Sequence, residues 1–211
     1  MWNCQKRRLL NSGKFNFRHS LSSPDPLRLV KDALNEALEP VPDLMDETEH
    51  RRAFLDKAAS LKAADIHDLS EESKLAFFLN LYHLMIMHAY VVLGPPDWSL
   101  KWISYFNNIA YEVSDDIFSL AELEHCIIRN KMSSPSQFMS RFVIPKSKYK
   151  LAISTVDFRI NFALNCGSLS NPPGILVYDA NRLEDQLDTA CRLSLASVSI
   201  IRRSGYKIIL E

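Results

Sequence analysis

Glycine is scarce in this chain, five in 211 residues, and none falls in the spacing that lets a loop cradle phosphate at a helix N-terminus. The common nucleotide-binding loops are thereby excluded. Cys4, Cys126, Cys166 and Cys191 lie far apart, with no CxxC pair among them, so the spacing of a structural zinc site or a dithiol redox motif is missing. With no secretory signal peptide either, reduced thiols and a cytoplasmic location are expected. No stripe of basic residues with interleaved aromatics is present, and a nucleic-acid surface is not expected without one. Internal repeats and low-complexity tracts are also absent. What the chain does have is 47% hydrophobic residues, enough for one sizeable core.

The formal charge is zero but unevenly placed. Residues 1–24 hold five basic residues (Lys6, Arg7, Arg8, Lys14, Arg18) and no acidic one, which leaves 20 basic against 25 acidic residues from Asp25 onward. Residues 1–24 are read as a flexible basic extension, with a mitochondrial transit peptide as the alternative, and residues 25–211 as a single domain. Asp25-Pro26 then looks like an N-cap with proline at the first helical position. The helix so opened places Leu27, Val30, Leu34 and Leu38 on one face and stops at Pro40 and Pro42. A second helix is expected from Asp46, with Glu49 completing a capping box and Phe54, Ala58 and Leu61 turned inward.

Leu75 to Leu93 is a run of nineteen largely apolar residues, close to the length of a bilayer span. Asn80, His83 and His88 sit in its middle, where they would be costly in lipid, and Ser70, Glu71, Glu72 and Ser73 ahead of it resemble the start of a helix in water. The run is therefore expected to be a buried central helix, not a membrane span. Gly94-Pro95-Pro96 ends it, and the aromatics Trp98, Trp102, Tyr105 and Phe106 are expected to cover the core. Ile109–Val113 and Ile117–Phe118 flank Ser114-Asp115-Asp116 as a hairpin. Ser119 with Glu122 forms a capping box and Phe118 with Leu123 a hydrophobic staple. The helix they start carries Glu124, His125 and Arg129, and the i,i+4 spacing of the last two suits a solvated charged face.

Residues 133–150 read as a loop with a basic run at Lys146, Lys148 and Lys150. Asn181 and Glu184 are expected to cap a last helix with Leu183, Leu187, Ala190 and Leu195 inward. Ser197–Ile201 and Tyr206–Leu210 then suggest a hairpin around Gly205, and a chain stopping at Glu211 in or beside a strand suggests an incomplete C-terminus. The expected class is α+β, with helices packed on a small, mainly antiparallel sheet around a buried central helix.

The stretch most suggestive of chemistry is DFRINFALNCGSLSNPPGILVY, Asp157 to Tyr178. Phe158, Ile160, Phe162 and Leu164 alternate with Arg159, Asn161, Ala163 and Asn165, which predicts a strand. It ends at Asn165-Cys166-Gly167, where a thiol could face a cleft beside backbone N–H groups. An unpaired cysteine is, however, commonly no more than a small buried hydrophobe.

Three segments in this order and spacing, FFLNLYHLMIMHA (Phe77 to Ala89), FSLAELEHCIIR (Phe118 to Arg129) and DFRINFALNCGSLSNPP (Asp157 to Pro173), resemble the family catalogued as domain of unknown function 547. The resemblance covers roughly residues 50–211. Such members occur alone in bacteria and beside other domains in eukaryotes, and the family has no established activity. Its pattern maps onto Asn80, His88, Glu124, His125, Arg129, Asp157, Arg159, Cys166 and Gly167. Two positions depart, Asn161 where many members have histidine and Asn171 where they have a second cysteine.

A nucleophilic cysteine needs a base and a group to orient that base, and asparagine at 161 cannot take a proton. A surviving triad would have to use His88 or His125, with Glu124 or Asp157 as orienter. A metal site from His88, His125 and Cys166 would lack closely spaced ligand pairs, so neither metal nor cofactor is expected. Two functions follow from these residues. One is a non-catalytic interaction or regulatory module of a larger protein, with other protein domains as partners. The other is a thiol hydrolase or acyl transferase with Cys166 as nucleophile.

Overall fold

The computed structural model describes residues 7–13, 24–39, 47–96, 99–130, 132, 150–168, 171–197, 202–204 and 207–209. In chain order the elements are β1 (Arg8–Leu9), α1 (Pro26–Leu38), α2 (Glu47–Ser60) with a 3-10 turn at Leu61–Ala63, α3 (Glu71–Leu93), α4 (Ser99–Asn108), β2 (Ile109–Val113) and β3 (Asp116–Ser119). Next come α5 (Leu120–Glu122), which runs into a π-helical segment (Leu123–Ile128), α6 (Ile160–Ala163), a 3-10 turn at Ala180–Arg182, α7 (Leu183–Ser197), and the strands β4 (Arg202–Ser204) and β5 (Lys207–Ile209). The class is α+β.

Helix α3 is the axis of the fold. The Ser70 hydroxyl accepts from the Ser73 N–H at 3.2 Å, and Glu71 and Glu72 lie in the first turn against the positive end of the helix dipole. At the other end Gly94 takes φ 72 and returns its N–H to Tyr90 O, a left-handed stop that glycine adopts without a Cβ penalty. Between these ends Phe77, Phe78, Leu79, Leu81, Leu84 and Ile86 are all buried, each contributing about 1.5–3 kcal/mol of transfer free energy. The helix is long and apolar enough to cross a bilayer, yet 78% of its most apolar window is enclosed by the rest of the fold. Helix α1, started by Asp25 Oδ1 accepting the Leu27 N–H and by Pro26, lays Val30, Ala33 and Leu34 into this core, and α2 adds Ala58 and Ala59.

The hairpin forms as its pattern predicts, with Tyr111 opposite Phe118 and Val113 opposite Asp116. The sheet, however, is mixed: β1 pairs in parallel with β2, Arg8 beside Ile109 and Leu9 beside Ala110. Residues 7–13 are thus not part of a loose extension. Arg7 makes two bonds to the Glu122 carboxylate, at 2.6 and 3.0 Å, and Asn11 is buried against Glu112 and Ala58. The Glu122 and Glu112 contacts span more than a hundred residues and the Ala58 contact 47, all beyond the reach of local sequence rules.

Three other expectations are corrected. The alternating run at 157–165 is not a strand: Asp157 Oδ1 accepts the Arg159 N–H as an Asx turn, and Ile160–Ala163 is a short helix with Ile160, Ala163 and Leu164 inward. Spacing i, i+3, i+4 explains the burial and leaves Phe158 69% exposed. The last helix is opened by Asp179, whose carboxylate accepts from the Asn181 N–H, not by Asn181, and Leu195 lies outward at 64% exposure. Ser197 ends α7, and the antiparallel pair that follows joins 202–204 to 207–209. Asp46, Trp98, Lys146, Lys148 and Gly205, with the expectations attached to them, lie outside the described residues.

Candidate functional site

Capping sets up one wall of the site. The Ser119 hydroxyl accepts the Glu122 N–H at 3.2 Å while Glu122 Oε2 accepts the Ser119 N–H at 2.9 Å, the reciprocal capping box expected from S-x-x-E. Phe118 and Leu123, the staple pair, are both fully buried. The helix then widens: the Arg129 N–H reaches back five residues to Glu124 O, at 2.9 Å, so Leu123–Ile128 is π-helical. In a regular helix positions 124 and 129 would point about 140° apart. The wider turn instead lets Arg129 Nη1 meet Glu124 Oε1 at 3.1 Å, and the pair is largely enclosed rather than part of a solvated face.

Helix α3 supplies the second wall. Tyr82 donates its hydroxyl to Glu124 Oε2 at 3.1 Å, and Tyr90, two turns on, donates to the Cys166 carbonyl. Burial, then Glu124 and Cys166, push the Tyr82 hydroxyl well above its ordinary range, and burial and Cys166 push Tyr90 up to about 12. Tyr105 on α4 is raised by burial and by Tyr90 beside it. All three phenols keep their protons at neutral pH, and Tyr82 and Tyr90 act as donors.

The third wall is made by residues 164–168 and 171–174, which two asparagines tie together. Asn165 accepts the Gly167 N–H at 2.9 Å and donates to the carbonyls of Pro172 and Gly174. Asn171 Oδ1 gathers four donors: the N–H groups of Cys166 and Ser168 at 3.2 Å each, the Ser168 hydroxyl at 2.9 Å, and the Cys166 thiol at 3.3 Å. Gly167 has φ 74, and a Cβ there would sit 2.8 Å from the Tyr90 ring. Glycine is needed both for the backbone angle and for the approach of that ring.

Of the residues singled out in the sequence, the fold brings Cys166, Gly167, Glu124 and Arg129 to this one region. His125 lies on the same π segment, its pKa lowered by burial and by Arg129, with Glu124 opposing. His88 faces away. It is two residues from Tyr90, about 160° round the helix, and its Nδ1 meets the Tyr111 hydroxyl at 2.7 Å with Phe54 edge-on against the ring. Burial, then Arg51, push it down to about 4. Asp157 and Arg159 belong to a surface network, the guanidinium held by Asp157, Glu184 and Asp188. These bonds hold Asp157 below the usual carboxylate range. Asn80 is a clip, donating to Tyr178 O and accepting from Tyr178 N–H, both at 2.8 Å.

The histidine that does reach the Cys166 loop is His83, which sequence reasoning passed over. Its Nε2 accepts the Asn165 N–H at 3.2 Å, so it is neutral, and burial pushes it down to about 4 with the Ala163 carbonyl opposing. The usable signal was its place one turn after Asn80 on the same helix. Nothing local marked Tyr82, Tyr90 or the hub role of Asn171. Among the described residues no group of three or more His, Cys, Asp or Glu is placed to hold a metal ion, so His88, His125 and Cys166 do not assemble as ligands. The sulfur of Cys166 bonds to Asn171, and no histidine nitrogen among the described residues is its partner.

The family model described as "Protein of unknown function, DUF547" matches residues 66–193, from the turn before α3 into α7. No curated protein and no solved structure matches the chain.

Proposed function

Since the chain belongs to the DUF547 family, whose description assigns no activity, we propose from the Cys166 loop that it is a non-catalytic interaction or regulatory module. One observation carries this reading. The N–H groups of Cys166 and Ser168 and the Ser168 hydroxyl, the donors that could stabilise an oxyanion beside the thiol, all bond to the amide oxygen of Asn171. The thiol's own proton is directed at the same oxygen. A thiolate formed there would lie against an acceptor, with no imidazole bonded to it, the reverse of the electropositive setting that activates a cysteine. The loop supports a role as a rigid, satisfied surface feature better than as an acylation site.

The competing reading, a thiol hydrolase or acyl transferase, draws on the nearness of Glu124, Arg129 and Tyr82. The two separate in the rate of iodoacetamide labelling at Cys126, Cys166 and Cys191 against pH, read by peptide mass spectrometry. The module predicts slow labelling of Cys166 at pH 6 that accelerates on unfolding. Fast labelling at pH 6 that slows in His125→Ala would establish a working nucleophile and sink the module reading.

A further inference from the structure

Residues 7–11 lie against the free edge of β2. Only two residues of β1 pair with β2, yet side chains anchor the segment at both ends. At one end Arg7 makes its two-bond contact with Glu122 and a further bond to Ile117 O at 3.2 Å, the fork geometry in which arginine recognises a carboxylate. At the other, the Asn11 carboxamide reads a backbone pair, accepting the Glu112 N–H at 2.9 Å and donating to Glu112 O at 2.8 Å. Between them the Leu10 N–H bonds to Ala110 O at 3.0 Å, and Leu10 packs on the core.

Every group that receives this segment comes from residues beyond position 57. The receiving site is therefore complete without it: a strand edge, a carboxylate at one end and an N–H/C=O pair at the other. An uncovered edge of β2 would be open to strand addition, and strand addition read by side chains at defined positions is a common mode of peptide recognition. We propose that the β2 edge is a peptide-binding groove, occupied in cis by residues 7–11 as an exchangeable ligand. The ligand class is an extended peptide carrying arginine and, four residues on, asparagine. Twelve residues, 12–23, separate the segment from Pro24 and α1. A tether of that length sets an effective concentration on the order of millimolar, so a partner peptide displaces the segment once its concentration relative to its own Kd exceeds that effective concentration relative to the Kd of the segment.

The test uses a fluorescein-labelled peptide of residues 7–13 (RRLLNSG), titrated by anisotropy into the full chain and into the full chain carrying Arg7→Ala and Asn11→Ala. The double variant is expected to bind the probe at least about tenfold more tightly than the parent, whose groove is filled, and a probe with its own arginine at position 7 and asparagine at position 11 changed to alanine is expected not to bind. Equal or absent binding to a variant that gives the parent's circular dichroism overturns the proposal. Should the variant not fold, hydrogen exchange on the parent decides. The Leu10 amide is expected to exchange at least about a hundredfold faster than the amides of α3, by local release; exchange only together with α3 makes the segment a fixed strand. A parent that runs as a strand-exchanged dimer overturns occupancy in cis.

Discussion

Removing the Asn80 clip should be among the most damaging single changes available in this protein. Asn80 and Tyr178 are 0% and 1% exposed, and the carboxamide satisfies both backbone groups of Tyr178 across 98 residues of sequence. Asn80→Ala loses two hydrogen bonds and strands a buried N–H and a buried C=O. At about 1–3 kcal/mol for each unsatisfied group, the loss is roughly 3–5 kcal/mol, a large share of the roughly 5–15 kcal/mol that holds a domain folded. With a urea m-value of about 2–3 kcal/mol/M, the midpoint should fall by roughly 1–2 M. Asn80→Asp sharpens the test. A protonated aspartic acid can still donate to Tyr178 O, whereas the carboxylate opposes that carbonyl, so the folded state raises the pKa above the unfolded value of about 3.9. The stability this proton supplies is fully present below the unfolded pKa and is lost as pH rises through the folded one. Relative to the parent at each pH, the Asn80→Asp penalty should grow by about 1.4 kcal/mol per pH unit across that interval. Urea midpoints of parent and variant between pH 5 and pH 8 would show it. A midpoint shift in Asn80→Ala under about 0.3 M, or an Asn80→Asp penalty that stays flat, would refute the reasoning.

Ser119→Ala removes one arm of the capping box and should cost about 1 kcal/mol, read as a lowered thermal midpoint; an unchanged melt would mean the cap contributes nothing. Gly167→Ala places a methyl 2.8 Å from the Tyr90 ring at φ 74. It should cost about 1–3 kcal/mol and disturb the Tyr90 contact with Cys166, and a variant as stable as the parent would contradict the close approach. Asn171→Ala frees the four donors it holds and should raise the labelling rate of Cys166 several-fold, while no change would show that Asn171 does not restrain the thiol. His83 and His88, both pushed down to about 4, bind fewer protons folded than unfolded below pH about 6.5. Stability should therefore be full above that value and fall as pH drops toward about 4, by a few kcal/mol. Urea midpoints that do not change between pH 7 and pH 4.5 would exclude this.

How much of this was legible depends on how far each determinant reaches. The cap at Asp25, the start and stop of α3 and the Ser119–Glu122 box were readable because their partners lie within four residues of one another, and the β2–β3 hairpin because its partners lie within nine. The α+β class followed from them. The segment 157–165 misled because its apolar residues alternate while also falling at i, i+3 and i+4 at Ile160, Ala163 and Leu164, and the Asx turn at Asp157 decided between the two. At the site, Cys166 and Gly167 were found from their local pattern. Their surroundings were not, because Tyr82, Tyr90 and His83 reach them across more than 70 residues. Arg7 was likewise counted only as a positive charge in a basic stretch, since Glu122 is 115 positions away.

The widened turn after α5 bears on how the chain tolerates changes in length. The carbonyl of Glu124 is bonded by the N–H five positions on, so the segment holds one residue more than a regular helix would place between the same anchors. Deleting a single residue there, ordinarily ruinous inside a helix, leaves a run that can close as ordinary i→i+4 turns without moving the capping box. Glu124 and Arg129 would then stand four positions apart, about 40° on the wheel, so the ion pair beside Tyr82 would persist at ordinary i,i+4 spacing. The overall fold is set by α3 and the hairpin, and the surplus residue lets the charge pair outlast a change in length. A deletion at this one turn would leave both the architecture and the site in place.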